Sequence, residues 1–116
     1  MSVQEALISV TLPAGADLRT HQFKFVSVGA DGRVALTAND AHADGVLLND
    51  PNTGEVATVA ISGIAKVACG AGVTRGGGVS SGANGAAKTA ASGAVMGTAL
   101  ETGANGRIIS ILLGRR

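Results

Sequence analysis

Residues 45–69 read Gly45-Val46-Leu47-Leu48-Asn49-Asp50-Pro51-Asn52-Thr53-Gly54-Glu55-Val56-Ala57-Thr58-Val59-Ala60-Ile61-Ser62-Gly63-Ile64-Ala65-Lys66-Val67-Ala68-Cys69. Val46 to Leu48 is a short apolar run of strand type. Asp50-Pro51-Asn52-Thr53-Gly54 is a turn, because Pro51 presets φ near −65° and Gly54 can take positive φ. From Glu55 to Ile61, Val56, Thr58 and Ala60 alternate with Ala57, Val59 and Ile61, a period of two. Gly63 then marks a bulge or sharp bend. Ile64 to Cys69 continues as a further strand. Strand, turn, strand, pivot and strand define an antiparallel β architecture.

The same grammar extends in both directions. Ala6, Ile8, Val10 and Leu12 alternate with Leu7, Ser9 and Thr11 until Pro13-Ala14-Gly15 breaks the run. Phe23, Phe25 and Val26-Ser27-Val28 form a second run. Gly29-Ala30-Asp31-Gly32 turns it into Arg33-Val34-Ala35-Leu36-Thr37, which predicts a hairpin. Residues 38–44 read as a loop. Val79-Ser80-Ser81 and Ala86-Ala87-Lys88-Thr89 flank an Asn84-Gly85 turn. Ala94 to Leu100 is a strand holding Gly97, and Asn105-Gly106 turns it into Arg107–Leu113, the strongest strand signal of all. Gly114-Arg115-Arg116 is expected in solvent. Short strands at regular spacing predict an all-β fold, a small β-barrel or compact sandwich of short antiparallel strands. Residues 1–20 read as an N-terminal arm with the first strand, and residues 21–116 as the β-barrel domain. No fixed 20–50-residue repeat supports a solenoid.

Composition limits the function. A chain of 116 residues is one domain burying roughly two thirds of its unfolded surface. The hydrophobic share is 46%, much of it alanine, Trp and Tyr are absent, and 18 residues are glycine. Small side chains bury little area, and glycine loses the most backbone entropy on folding. This predicts limited stability alone and support from an oligomer or host surface. The net charge of +1 comes from nine basic and eight acidic residues scattered singly. With no basic stripe and no Trp or Tyr platform, nucleic acid is not an expected partner. No apolar run approaches the ~20 residues of a membrane-spanning helix. Met1-Ser2-Val3-Gln4-Glu5 lacks the basic start of a signal peptide. The single Cys69 cannot form an intrachain disulfide and fits synthesis in a reducing cytoplasm.

The inventory for chemistry is thin. His21, His42 and Cys69 lie about twenty residues apart and share no metal-ligand spacing. A Cys–His nucleophile pair would need an orienting third group and an activated thiolate. Cys69 ends an alternating strand, so packing is its expected role. Gly70-Ala71-Gly72-Val73-Thr74-Arg75-Gly76 is one residue too long for a dinucleotide loop and no helix follows it. Asp40, Asp44 and Asp50 lack the terminal Glu of a calcium loop and read as turn residues. Arg107, Arg115 and Arg116 could meet an acidic neighbour or serve as solubilising charge. The sequence therefore predicts no catalytic, cofactor or metal site, and no enzyme.

From Gly45 to Leu113 the sequence resembles the head-decoration, or capsid-cement, proteins of tailed bacteriophages. The resemblance is carried by Gly45-Val46-Leu47-Leu48, Glu55–Ile61, Gly63–Val67, Gly70–Thr74, Gly85–Lys88, Val95–Glu101 and Gly106–Leu113, in order and spacing together. The chain departs from the pattern at Arg75-Gly76-Gly77-Gly78, where relatives usually carry Gly-Asp, which implies a longer or looser loop. The resemblance implies a small β-barrel that binds the outside of an assembled capsid, on sites shared by several major capsid protein subunits. It implies a homo-oligomer, with a trimer favoured, that stabilises the expanded head, and a place on the virion exterior after synthesis in the host cytoplasm. The alternative reading is a surface- or carbohydrate-binding β-module of a phage fibre or adhesin.

Overall fold

The structure, a computed structural model, describes residues 5–90 and 95–113, with side chains from Ile8 onward. Among them run nine strands: β1 (Glu5–Pro13), β2 (Phe25–Val28), β3 (Val34–Leu36), β4 (Gly45–Leu47), β5 (Val56–Ala68), β6 (Gly78–Ser81), β7 (Ala87–Thr89), β8 (Gly97–Ala99) and β9 (Ile108–Leu113). One 3-10 turn spans Ala83–Gly85. Every ladder between these strands is antiparallel, in the order β3-β2-β4-β5-β9-β8-β6-β7, with β1 added on β5. The sheet curls into a half-barrel, the all-β class expected from the sequence.

β5 organises the whole. Ala60 pairs with Ser9 of β1 and Val46 of β4, so those strands take opposite edges. Gly63 pairs with Ala6 of β1 and Leu113 of β9. Strands β4 and β9 therefore follow one another along one edge of β5, and β1 takes the other. The handover falls at Ile61–Gly63. Ile61 has no cross-strand partner, the β1 register shifts beside it, and Gly63 sits at φ 96°. An extra residue in a strand reverses which side chains face which way. Ala57 and Val59 accordingly enter one core, while Ala60, Ala65 and Val67 enter a second.

The first core holds Leu18, Val26, Val34, Leu47 and Val59 between β1, β2, β3, β4 and the first half of β5. A parallel bridge from Ala14 to Val34 closes it, with the Gly15 amide donating to the Val34 carbonyl at 2.8 Å. The second core holds Val67, Val79, Met96, Ile109 and Ile111. It is closed in the same manner by a Cys69–Ala87 bridge, with the Gly70 amide on the Ala87 carbonyl at 2.9 Å. Phe25, Val46 and Ala60 project from the reverse face of the first sheet into the second core. Strands β2, β4 and β5 are thus apolar on both faces, which explains why β4 is buried at every position. The two faces also bring backbones close at Gly45. A Cβ there would lie 2.6 Å from Val59 Cγ1 and collide with the Ala60 carbonyl oxygen.

The predicted hairpins stand. Val28 pairs with Val34, and Ser81 with Ala87 across Asn84 (φ 55°) and Gly85 (φ 75°), the two positive angles a tight hairpin turn demands. Gly54 takes φ 83° in the Pro51 turn. Four details differ from the sequence reading. Residues 56–68 form one strand, because the ladder with β1 continues through the pivot. Phe23 lies outside β2 at φ 68°, where its amide donates to Leu47 and its carbonyl accepts from Ala68, both at 2.8 Å. Ile8 shares the face of Val10 and Leu12 but lies past the first core, across from Ser62, and is 53% exposed. β8 is only Gly97–Ala99, and Ala94 lies outside the described residues.

Gly63→Ala places a side chain at left-handed φ and should cost at least ~1–2 kcal/mol, read as a lower urea midpoint. Gly72→Ala, with nothing within 4 Å of the added carbon, should leave the midpoint unchanged.

Candidate interaction surface

The residues that could carry chemistry are scattered, and His21 Nδ1 is buried without a hydrogen-bond partner among the described residues. His42 Nε2 lies 3.7 Å from Asp44 Oδ1. The His21 amide donates to the Leu18 carbonyl in the segment between β1 and β2. Cys69 is buried in the second core, and burial pushes its thiol up despite the opposing field of Arg107. A high thiol pKa suits packing and not nucleophilic attack. Asp40, at φ 61°, is 2.7 Å from the Lys88 ammonium. Asp44 Oδ2 accepts the Val28 amide at 2.8 Å, and Asp50 is exposed in the Pro51 turn. Among the described residues no group of three or more His, Cys, Asp or Glu converges. Arg107 is exposed beside the Gly106 turn, while Arg115 and Arg116 lie outside the described residues.

The Gly70–Gly78 loop, expected to be loose, is tied down. Val73 and Gly103 exchange amide-to-carbonyl bonds of 2.9 Å in both directions. The Gly76 amide donates to Ala99 and the Gly77 amide to Thr74, while the Arg75 amide donates to Thr102 Oγ1. Arg75 Nε reaches the Leu100 carbonyl at 3.1 Å. Four amides that a phosphate cradle would need are therefore spent on the chain itself. The loop's buried anchor is Val73.

A pocket of about 160 Å³ is lined chiefly by Phe25, Gly45, Ile61, Met96 and Leu113, with Asp44 as its one charged residue. The one charged group of this pocket is engaged, since Asp44 Oδ2 accepts the Val28 amide.

The surface also presents sheet. Beyond Gly63 the outward face of β5 carries Ile64, Lys66 and Ala68, opposite Leu112, Ser110 and Ile108 of β9. Leu112 is 48% and Ile108 43% exposed, and Ile8 stands across from Ser62 on the same face. Lys66 and the buried Ser110 separate Leu112 from Ile108, so these exposed apolar residues stand singly on the face, as is ordinary for a protein surface. β1 also shows an open edge. The Ala14 amide bonds to the Glu55 carbonyl, and Gly54 donates to the Ala14 carbonyl. By the two-residue period Leu12 and Val10 face β5 in the same manner, leaving Ser9 and Thr11 to point their backbone groups outward. This edge is not legible in the sequence, because it depends on which partner β1 takes.

The fold is similar to that of the N base of head fiber gp8.5 in bacteriophage phi29, at TM-score 0.76, 19% identity, and 92% coverage of this chain against 93% of that one. No protein-family model matches the chain, and no curated protein does.

The Arg19 guanidinium grips Asp17 through Nε and Nη2 contacts of 2.9 Å and holds its carboxyl at about 2, against an ordinary 3.8. A depressed acid stabilises the fold above its unfolded pKa, and that contribution fades as pH falls through the folded value. Carbon-detected NMR titration should place Asp17 near 2, and Arg19→Ala should return it toward 3.8. Cys69 should resist a disulfide reagent at pH 8 in the native protein and react fully in denaturant.

Proposed function

We propose that this chain is a structural protein of a phage virion. It binds the outer surface of the assembled capsid and holds neighbouring major capsid protein subunits together. The observation that carries this reading is the fold, which over 92% of the chain follows the base of a phage head fiber. The resemblance of Gly45–Leu113 to capsid-cement proteins supports the same class. The surface chemistry agrees, since the exposed features are sheet face and strand edge, and the polar loops are bonded to their own chain.

The mechanism is contact area multiplied over many sites. Each copy bridges adjacent subunits, and weak contacts repeated around a shell give avidity without chemistry. A trimer would close the assembly and shelter strand edges. Within residues 1–20, read as an arm with the first strand, Glu5–Pro13 pairs with β5, and this part would meet a neighbour through its strand edge.

A second reading has one observation in its favour: the similar fold is the base of a fiber. In that reading the chain anchors a longer appendage. The sugar-binding version is weaker, because the sequence has no Trp or Tyr to stack on a sugar.

The test is co-sedimentation of the purified chain with expanded capsids of its phage. The expected result is saturable binding to expanded capsids and none to unassembled subunits. Absence of binding to the capsids sinks the cement reading. Electron microscopy of the decorated particles separates compact knobs from fibre bases.

A further inference from the structure

We propose that β1 pairs with the same edge of a second copy of this chain, antiparallel, about a two-fold axis through Val10. The inference goes beyond the capsid reading and needs no capsid to test.

The first observation is the open ladder. Among the described residues β1 has a strand partner only on its β5 side. The outward groups of the open stretch are the N–H and C=O of Ser9 and of Thr11; Pro13 has no N–H and its carbonyl faces Val34, where the bridge to Ala14 ends the opening. Ser9, Thr11 and Pro13 are exposed. Natural sheets blunt such an edge with charges, prolines or bulges; residues 6–14 carry no charge, and Pro13 and the Ile8–Ser9 shift stand only at the two ends of the open stretch.

The second observation is that this edge is its own complement. Ile8-Ser9-Val10-Thr11-Leu12 reads nearly the same from either end. Antiparallel pairing about Val10 sets Ser9 opposite Thr11, Ile8 opposite Leu12 and Val10 opposite itself. Because Ser9 and Thr11 are the outward-pointing residues, both Ser9–Thr11 pairs become hydrogen-bonded pairs. Each exchanges two N–H···O=C bonds. One face then carries two Ser–Thr pairs, which favour each other across strands. The other face carries only apolar groups. Ile8, 53% exposed in the single chain, gains Leu12 of the second copy as a neighbour. An isologous contact of this kind is what a two-fold axis produces.

The third observation is that the alternatives are disfavoured. Centring the axis on Thr11 sets Ser9 opposite Pro13 and loses a donor. The Ala14–Val34 bridge closes the edge just past Pro13, and the register shift at Ile8–Ser9 bends it at the other end. The usable ladder is therefore residues 8–12, the length of the palindrome.

The geometry supplies its own test. Val10 is the only residue that meets itself, in a non-hydrogen-bonded pair whose Cα separation of about 4.5 Å lies within disulfide range. Val10→Cys should cross-link two chains on mild oxidation at least about tenfold faster than Ser9→Cys, although Ser9 is the more exposed site. Collision alone would give the opposite order. Thr11→Pro removes one outward donor and leaves the β5 ladder intact, as edge strands tolerate. In the Val10→Cys background it should lower the rate to that of Ser9→Cys. Ser9→Lys with Thr11→Lys, which sets like charges opposite each other, should do the same without altering the backbone. Equal rates for Val10→Cys and Ser9→Cys overturn the proposal, as does a Val10→Cys rate that neither the proline nor the lysines reduce.

Discussion

One strand has to belong to two cores. β5 runs thirteen residues without leaving the sheet, yet its first half must bury one set of side chains and its second half the other. A regular strand cannot do this, since its alternation fixes each face along its whole length. The unpaired Ile61 and the left-handed Gly63 resolve the conflict by shifting the alternation once. Everything downstream depends on that shift. It lets β4 hand its edge to β9, lets Ala60 join Ala65 and Val67 in one core, and leaves Ile64, Lys66 and Ala68 on an outer face. The two closing bridges, Ala14 to Val34 and Cys69 to Ala87, fall where each half of the sheet curls back on itself.

Several polar side chains and amides are spent in holding loops. Asn49 is an instance: its side-chain oxygen accepts the Thr58 amide and its nitrogen donates to the Val56 carbonyl, both at 2.9 Å. It extends the β4 ladder beyond the strand's own backbone. The Gly70–Gly78 amides act likewise against Ala99, Thr102 and Gly103. The cores are built from alanine, valine and a few larger residues, so the protein has little spare apolar mass. What remains accessible is sheet, as a face around Leu112 and an edge along β1.

Much of the fold was legible in the sequence because its signals are local. The Asp31-Gly32 and Asn84-Gly85 hairpins, the Pro51 turn and the Gly63 pivot all rest on backbone angles that particular residues permit. The role of Cys69 followed from its place at the end of an alternating run. What was not legible is long-range. Nothing near Glu5–Pro13 announces that its partner is residues 56–64, and the exposure of Ile8 follows from where the first core ends along that ladder. Phe23 looked like strand because it is aromatic, but its backbone is recruited to bond Leu47 and Ala68. The glycines of 70–78 looked loose because glycine permits freedom, while the structure uses them to bring the backbone against the 99–103 segment.

The placement of β1 has a kinetic consequence. Its ladder with β5 joins segments about fifty residues apart, and β5 joins β9 across a similar interval. Long-range antiparallel pairing pays loop-closure entropy before it gains contacts, so this topology folds slowly for its size. During synthesis β1 emerges first and waits until residues 56–64 have been made. The first core can close once the first half of β5 is made, while the last strand, β9, must arrive before the second core can form. The first core can form while the C-terminal third of the chain is still unmade, which gives the folding reaction a direction from the N-terminal lobe to the C-terminal one.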